Sequence, residues 1–240
     1  MTDEGKYVRF LLCALMSFFI ITTAQETIGA TIYWTDWTSA TVGTPGSASG
    51  SITFPGPFNI GVTYSGEVAS TTQTSGGTNY WNSAPSVYTD PGTVDNGPTN
   101  SDIITLDRSS SLNTITFSSP VVDPVMAFLS LGRDPAVWGP NYIVRYEFDA
   151  PFTVLNYGPN NIWAGVGTLT DIGSNTLEGI EGNGIIQFSG TFSSISWSNS
   201  PNEYWHGFTV GAPVPEPGTM LLLGSELIGL AGWGRKKFKK

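Results

Sequence analysis

The feature that most constrains this chain is a succession of short β-type runs separated by turn-forming residues. From residue 31 onward, no stretch sustains a helical hydrophobic period over a dozen residues. The clearest pattern covers residues 142–149, where every second side chain is apolar or aromatic, and residues 58–64 alternate in the same way. The 29 glycines and 16 prolines supply the breaks between such runs. The pattern predicts an all-β domain, an antiparallel β-sandwich or jelly roll of about ten to twelve strands.

Several other segments receive definite predictions. Residues 124–131 are nearly all apolar, which predicts a strand buried on both faces under another layer. Residues 184–189 and 191–197 predict a hairpin around Gly190, and residues 41–51 and 70–101 predict loops. The second loop is long, and long loops in compact domains are usually functional. Further strands are predicted at residues 31–37, 103–106, 113–117, 152–155 and 204–210.

The N-terminal segment has the pattern of a secretory signal peptide. Lys6 and Arg9 precede an apolar run at residues 10–21 that is too short to span a bilayer comfortably. Small residues allow cleavage after Ala24 or after Ala30, and we prefer Ala30 because residue 31 opens the first predicted strand. An uncleaved membrane anchor is the simpler alternative. The signal is therefore assigned to residues 1–30 and the β ectodomain to residues 31–212.

Residues 213–240 have three consecutive parts: a Pro215-Glu216-Pro217 motif, an apolar run at residues 219–233 and a basic end. The prolines end any strand, since they cannot take part in its interior pairing. Basic residues after an apolar helix stay on the cytoplasmic side, so the rest of the chain would lie outside the cytoplasm. An ordinary single-pass anchor is the alternative. The basic end contains Arg235, Lys236, Lys237, Lys239 and Lys240.

This tail resembles the PEP-CTERM sorting signal of exported bacterial proteins. Besides the Pro-Glu-Pro motif and the basic end, the resemblance rests on Thr219, residues 221–224 and residues 229–231. It implies recognition by a membrane-embedded exosortase, a single-pass inner-membrane intermediate with its C-terminus in the cytoplasm, and removal of the tail. Delivery to the cell surface or extracellular matrix would follow. Glu226 departs from the pattern, because a charge within such a run costs about 2.5–3.5 kcal/mol on insertion scales.

Charge and cysteine content exclude several classes of function. Between residues 31 and 214 there are 14 acidic residues, no lysine and three arginines, Arg108, Arg133 and Arg145, so this segment carries a net charge of −11. Nucleic-acid binding needs basic patches, which this segment lacks, so no nucleic-acid partner is expected. The single cysteine, Cys13, lies in the leader. The ectodomain therefore has no disulfide, no thiol nucleophile and no thiolate metal site.

The sequence offers few candidates for catalysis. His206 is the only histidine, which excludes a multi-histidine metal site, and a lone histidine on a strand is typical of a packed or surface residue. Glycoside hydrolysis needs two carboxylates facing one cleft. Glu147 and Asp149 share a strand face, although Arg145 on the same face favours a simple ion pair. Glu178 and Glu181 share a predicted loop.

Two weaker patterns concern binding. Asp90, Asp95 and Asp102 could supply hard oxygen ligands to Ca²⁺, although their spacing is also what turns require. The tryptophans predicted to lie in loops are Trp81, Trp138 and Trp163. Exposed rings there would suit stacking on sugars, whereas packing in the core is the alternative.

These observations favour a non-catalytic exported protein with a structural or adhesive role among exopolysaccharides or in a biofilm. A carbohydrate-binding module, with Ca²⁺ as its one conceivable cofactor, and a glycan hydrolase are the alternatives. The expected partners are exosortase and the export machinery, the membrane through the C-terminal helix, and extracellular polysaccharide.

Overall fold

The computed structural model describes residues 29–84, 86–107, 112–139, 143–163, 167–200 and 203–214. The predicted signal peptide up to residue 28 and the tail from residue 215 lie outside these ranges. The described residues form two antiparallel sheets with a single short helix, which confirms the prediction of a β-rich domain. Within these ranges no helix has the length and apolar character needed to cross a membrane.

The elements follow one another at short intervals along the chain. Helix α1 covers Pro135–Trp138 between β7 and β8. The fourteen strands of the described ranges are β1 (Ile32–Trp34), β2 (Asp36–Thr41), β3 (Gly43–Thr53), β4 (Asn59–Val68), β5 (Ile104–Leu106), β6 (Asn113–Val122), β7 (Val125–Leu131), β8 (Val144–Phe148), β9 (Thr153–Tyr157), β10 (Thr168–Asp171), β11 (Thr176–Ile180), β12 (Gly182–Gln187), β13 (Thr191–Ser200) and β14 (His206–Pro213).

The two sheets share one apolar core. The first sheet has the order β1-β14-β7-β12-β9, with β5 also paired to β14, and the second has the order β10-β11-β8-β13-β6-β4-β3-β2. The core cluster takes side chains from both sheets, which is the arrangement expected of a β-sandwich. The alternation of buried and exposed side chains is clearest in β8. Val144, Tyr146 and Phe148 are buried there, whereas Arg145 and Glu147 are exposed.

Strand β7 is buried on both faces, as its unbroken apolar sequence predicts. Met126 and Phe128 contribute to the core between the sheets. Ala127 and Leu129 point outward into a second cluster, formed with side chains of the long polar segment 70–101. The described residues of that segment form no named strand, and they cover the outer face of the six-stranded sheet.

Three local predictions were wrong. Residues 41–51 are not a loop, because β2 ends at Thr41 and β3 begins at Gly43, and the two strands pair with each other. The predicted hairpin around Gly190 does not form, because β12 pairs with β7 and β9 whereas β13 pairs with β6 and β8 in the other sheet. Phe58 precedes β4 and is exposed instead of facing the core. Residues 41–51 are mostly small, so β2 and β3 show no alternation of polar and apolar side chains there. Whether β12 and β13 lie in the same sheet depends on their partners, which the sequence of neither strand specifies.

Candidate functional site

A cleft of about 440 Å³ opens where β7 ends, β12 begins and the chain enters β14. It brings together residues that are far apart in sequence, because these three strands are neighbours in the six-stranded sheet. Its lining consists of Ser130, Arg133, Trp163, Glu181, Glu203, Tyr204 and Trp205.

A bulge between β7 and β12 sets the directions of the side chains at the cleft. The register shifts between Gly182 and Gly184, and both Ser130 (φ 58°) and Glu181 (φ 47°) adopt left-handed backbone conformations. The Ser130 hydroxyl donates to Glu181 Oε2 at 2.9 Å. A bulge changes the direction of the side chains beside it. A non-glycine residue in the left-handed region costs on the order of 1–3 kcal/mol, and residues strained in this way are found most often at functional sites.

Gly132 holds both acidic residues in place through its backbone. Its N–H donates to Glu203 Oε2 at 2.8 Å, and its carbonyl accepts from the Glu181 N–H at 3.0 Å. Its φ of 79° and the close approach of Gly179 leave no room for a side chain, since a Cβ would lie 1.9 Å from the Gly179 carbonyl oxygen. Only glycine fits at this position.

The two carboxyl groups titrate at higher pH than usual. Glu203 is 2% exposed, and burial raises its pKa well above the ordinary value, although the bond from Gly132 opposes this effect. Burial also raises the pKa of Glu181, opposed by its bond to Ser130. Carboxyl groups that retain a proton can donate hydrogen bonds as well as accept them.

His206 lies beside Glu203 within the core. Its Nε2 forms a hydrogen bond with the Tyr146 hydroxyl, and its Nδ1 lies 3.1 Å from Glu203 Oε2, at an angle unsuited to a hydrogen bond. Complete burial lowers the pKa of His206 to about 3, so the imidazole is neutral. The contact is therefore not an ion pair at neutral pH, and His206 is a packed residue.

An aromatic wall forms one side of the cleft. The rings of Trp163 and Trp205 lie 4.5 Å apart between centroids, and Tyr80 packs edge-on against both. The Trp205 indole N–H donates to Thr71 Oγ1 at 2.8 Å, which fixes its ring. Flat apolar surface next to a few polar groups is typical of small-ligand sites.

The sequence analysis identified only part of this wall. Trp163 lies in it, whereas Trp81 is 3% exposed and its indole donates to the Asp102 carbonyl, so the prediction of an exposed Trp81 ring was wrong. Trp138 ends α1, and its side chain lies outside the described part of the structure. Trp205 was missed because the aromatic run at residues 204–208 was assigned to a closing strand.

The acidic pairs chosen from the sequence lie elsewhere. Glu147 and Asp149 border a shallow groove beside β13, away from the cleft. Arg145 pairs with Glu178 on the adjacent strand β11 at 2.7 Å, and not with Glu147 or Asp149 as predicted. Glu178 lies in β11 and not in a loop, so only Glu181 of that pair reaches the cleft.

The three aspartates proposed as Ca²⁺ ligands have separate structural contacts. Asp102 accepts hydrogen bonds from the Trp37 N–H and from Asn100, Asp90 closes a turn with Val94, and the Asp95 N–H donates to the Ala30 carbonyl. Among the described residues, no three His, Cys, Asp or Glu side chains come together in a group able to hold a metal ion. The structure therefore does not assemble these aspartates into a site.

Comparison with protein families identifies the C-terminal segment. Residues 213–237 match the family described as the PEP-CTERM protein-sorting motif, which confirms the resemblance predicted for the tail. No curated protein and no solved structure matches the chain. The motif implies an exported protein that exosortase sorts to the cell surface. The match begins at Pro213, the last residue of β14, so the sorting segment directly follows the folded domain.

Proposed function

We propose that this exported, exosortase-sorted protein is a non-catalytic adhesin that binds extracellular polysaccharide in the cleft beside β14. The observation that carries the proposal is the pair formed by Trp163 and Trp205, with Ser130 and Glu181 in the same cleft. A sugar ring has apolar faces and a rim of hydroxyl groups. The tryptophans supply surface for a face, and the polar side chains can bond to the rim.

The charge of the domain restricts which polysaccharide fits. Residues 31–214 carry a net charge of −11, so a polyanionic chain would be repelled at low ionic strength. Among the described residues that line the cleft, Arg133 is the only basic one. A neutral polysaccharide meets no such repulsion, and it is therefore the ligand class that we propose.

A glycan hydrolase is the second candidate, because Glu181 and Glu203 share the cleft and burial raises the pKa of both. General acids of glycosidases have raised pKa values. Against this candidate, Glu203 is almost fully buried, accepts a hydrogen bond from the Gly132 N–H and lies against the buried His206. A nucleophile or general base must reach the sugar or its attacking water, and a carboxyl group packed in this way is poorly placed to do so.

The test measures binding and turnover on the same neutral polysaccharides with the full chain in detergent. Trp205→Ala and Trp163→Ala should each weaken binding at least about tenfold, because each removes aromatic contact area. Phe58→Ala, which removes an exposed ring outside the cleft, serves as the matched control and should bind normally. Circular dichroism checks that each variant is folded.

Three results would contradict the proposal. Unchanged binding in both tryptophan variants would remove the cleft as the site, and no binding to any neutral polysaccharide would remove glycan adhesion. Release of reducing sugar that is lost in Glu181→Gln would establish the hydrolase instead.

A further inference from the structure

We propose that the end of the domain opposite the cleft is a membrane-contacting surface, which rests on a zwitterionic bilayer while the C-terminal tail is embedded in it. We call this surface the exit face. It comprises the turn at residues 55–58, Val122 and Val214. The inference rests on the proposed export route, in which a membrane-bound precursor precedes sorting.

Strand pairing places the two ends of the described chain at this face. Ile32 pairs with Pro213 and Val125 pairs with Gly211, so the start of β1, the start of β7 and the end of β14 lie side by side. Only Asp123 and Pro124 separate Val122 from β7. The tail therefore leaves the domain from the same end as Val122.

The turn between β3 and β4 packs against these strands. The ring of Tyr33, whose backbone pairs with Ala212, lies 5.3 Å from the ring of Phe54. The Phe54 N–H donates to the Phe58 carbonyl at 3.1 Å and closes the turn. Phe58 is consequently held beside the exit of the tail.

Strand β14 separates this face from the cleft. Cleft residues Glu203, Tyr204 and Trp205 come directly before the strand, and Val214 comes directly after it. A strand of eight residues spans about 25 Å. A domain attached at residue 214 therefore presents its cleft away from the membrane and towards the matrix.

The exit face has the chemistry of a lipid contact. Phe58 is 66% exposed, Val122 44% and Val214 38%, and exposed phenylalanine is among the apolar side chains that insert at the boundary between headgroups and acyl chains. No arginine or lysine occurs among the residues that make up this face, so attraction to anionic lipid is not the basis of the contact. Only Val214 lies between β14 and the Pro-Glu-Pro motif, which leaves little chain to hold the domain away from the bilayer.

The test uses the full chain in phosphatidylcholine vesicles that contain a headgroup-nitroxide lipid. Cys13→Ser removes the natural thiol, so one fluorophore can be placed through Val122→Cys at the exit face. A fluorophore placed through Tyr204→Cys at the cleft, where the side chain is 76% exposed, provides the matched control. Quenching should be at least about threefold stronger at position 122 than at 204, because nitroxide quenching needs near contact. Adding Phe58→Ser should reduce the quenching at position 122 at least twofold.

The outcomes separate this inference from the proposed function. Vesicle flotation with equal quenching at both positions, or with stronger quenching at 204, would overturn the orientation but leave glycan binding intact. Quenching at 122 that Phe58→Ser does not change would overturn the contact through the turn. A chain that does not float with the vesicles would overturn both the membrane-bound precursor and this inference.

Discussion

A glycine with a left-handed backbone lies near each end of β14, but the surroundings of the two glycines differ. At the cleft end, left-handed Gly132 is pressed against the Gly179 carbonyl, and Glu203 and His206 are buried beside it. At the exit end, a Cβ added to left-handed Gly56 would meet no other atom within 4 Å, and the side chains around it are exposed. The cleft end is thus defined by crowding and by buried ionisable groups, whereas the exit end is defined by where the chain leaves the domain.

The largest expected effect comes from adding one methyl group at each end. Gly132→Ala should destabilise the protein by more than about 3 kcal/mol, because its Cβ would overlap backbone that cannot move without displacing a neighbouring strand. Gly56→Ala should cost only about 1 kcal/mol, since its positive φ is the sole penalty. Urea denaturation measures both free energies of unfolding.

Equal losses at the two glycines would contradict this comparison. That result would mean that left-handed backbone strain, and not crowding at the cleft, dominates the cost of a side chain.

The buried histidine predicts acid sensitivity at the cleft end. The pKa of His206 is about 3 in the folded protein and about 6.5 in an unfolded chain, so the unfolded chain takes up a proton first as the pH falls. Its contribution to stability is complete well above pH 6.5 and is lost progressively as the pH falls from there towards 3. Between pH 7.5 and 5 the loss should be about 2 kcal/mol.

His206→Gln removes this titration while keeping a polar group near Tyr146 and Glu203. The difference in free energy of unfolding between wild type and variant, measured by denaturation at pH 7.5 and 5, should fall by about that amount. A difference that does not change with pH would show that burial does not lower the pKa of His206 in the folded protein.

Fold prediction from sequence succeeded where side chains alternate in polarity. The predictions at residues 142–149 and 124–131 match β8 (Val144–Phe148) and β7 (Val125–Leu131), because burial on one face leaves alternation and burial on both faces leaves an unbroken apolar run. Strands β2 and β3 were missed because residues 41–51 are mostly small, and small residues occur equally in loops. The separation of β12 from β13 depends on which sheet offers a partner, and no local pattern contains that information.

The cleft was harder to predict because its parts come from separate elements. Glu181 and Glu203 approach one another only through the pairing of β7 with β12 and β14. Shared strand faces direct attention instead to Glu147 and Asp149, which are two residues apart in sequence but face solvent. Trp163 was found because it stands among glycines and asparagines, whereas Trp205 beside His206 resembles core packing.

The exit end makes a prediction about signal cleavage. Ala30 belongs to the folded domain, since its N–H donates to the Thr93 carbonyl at 2.9 Å and its carbonyl accepts from the Asp95 N–H at 3.1 Å. Deleting residues 1–30 should therefore cost about 1–2 kcal/mol relative to deleting residues 1–24. This contact favours Ala24 over Ala30 as the cleavage position.

Mass spectrometry of the exported protein checks the position directly, and Gln25 is the expected first residue. A mature chain that begins at Thr31 would show that these two hydrogen bonds are dispensable.

The smallest effect is expected from an exposed ion pair that lies at neither end of β14. Arg145 and Glu178 form an ion pair across β8 and β11, with the arginine side chain 46% exposed. Water and salt screen such a pair, so Arg145→Met should change the free energy of unfolding by less than about 1 kcal/mol and leave polysaccharide binding unchanged. Denaturation at low and high salt tests this, and the difference between wild type and variant should shrink as salt is added. A large loss that does not depend on salt would mean that this face is coupled to the core.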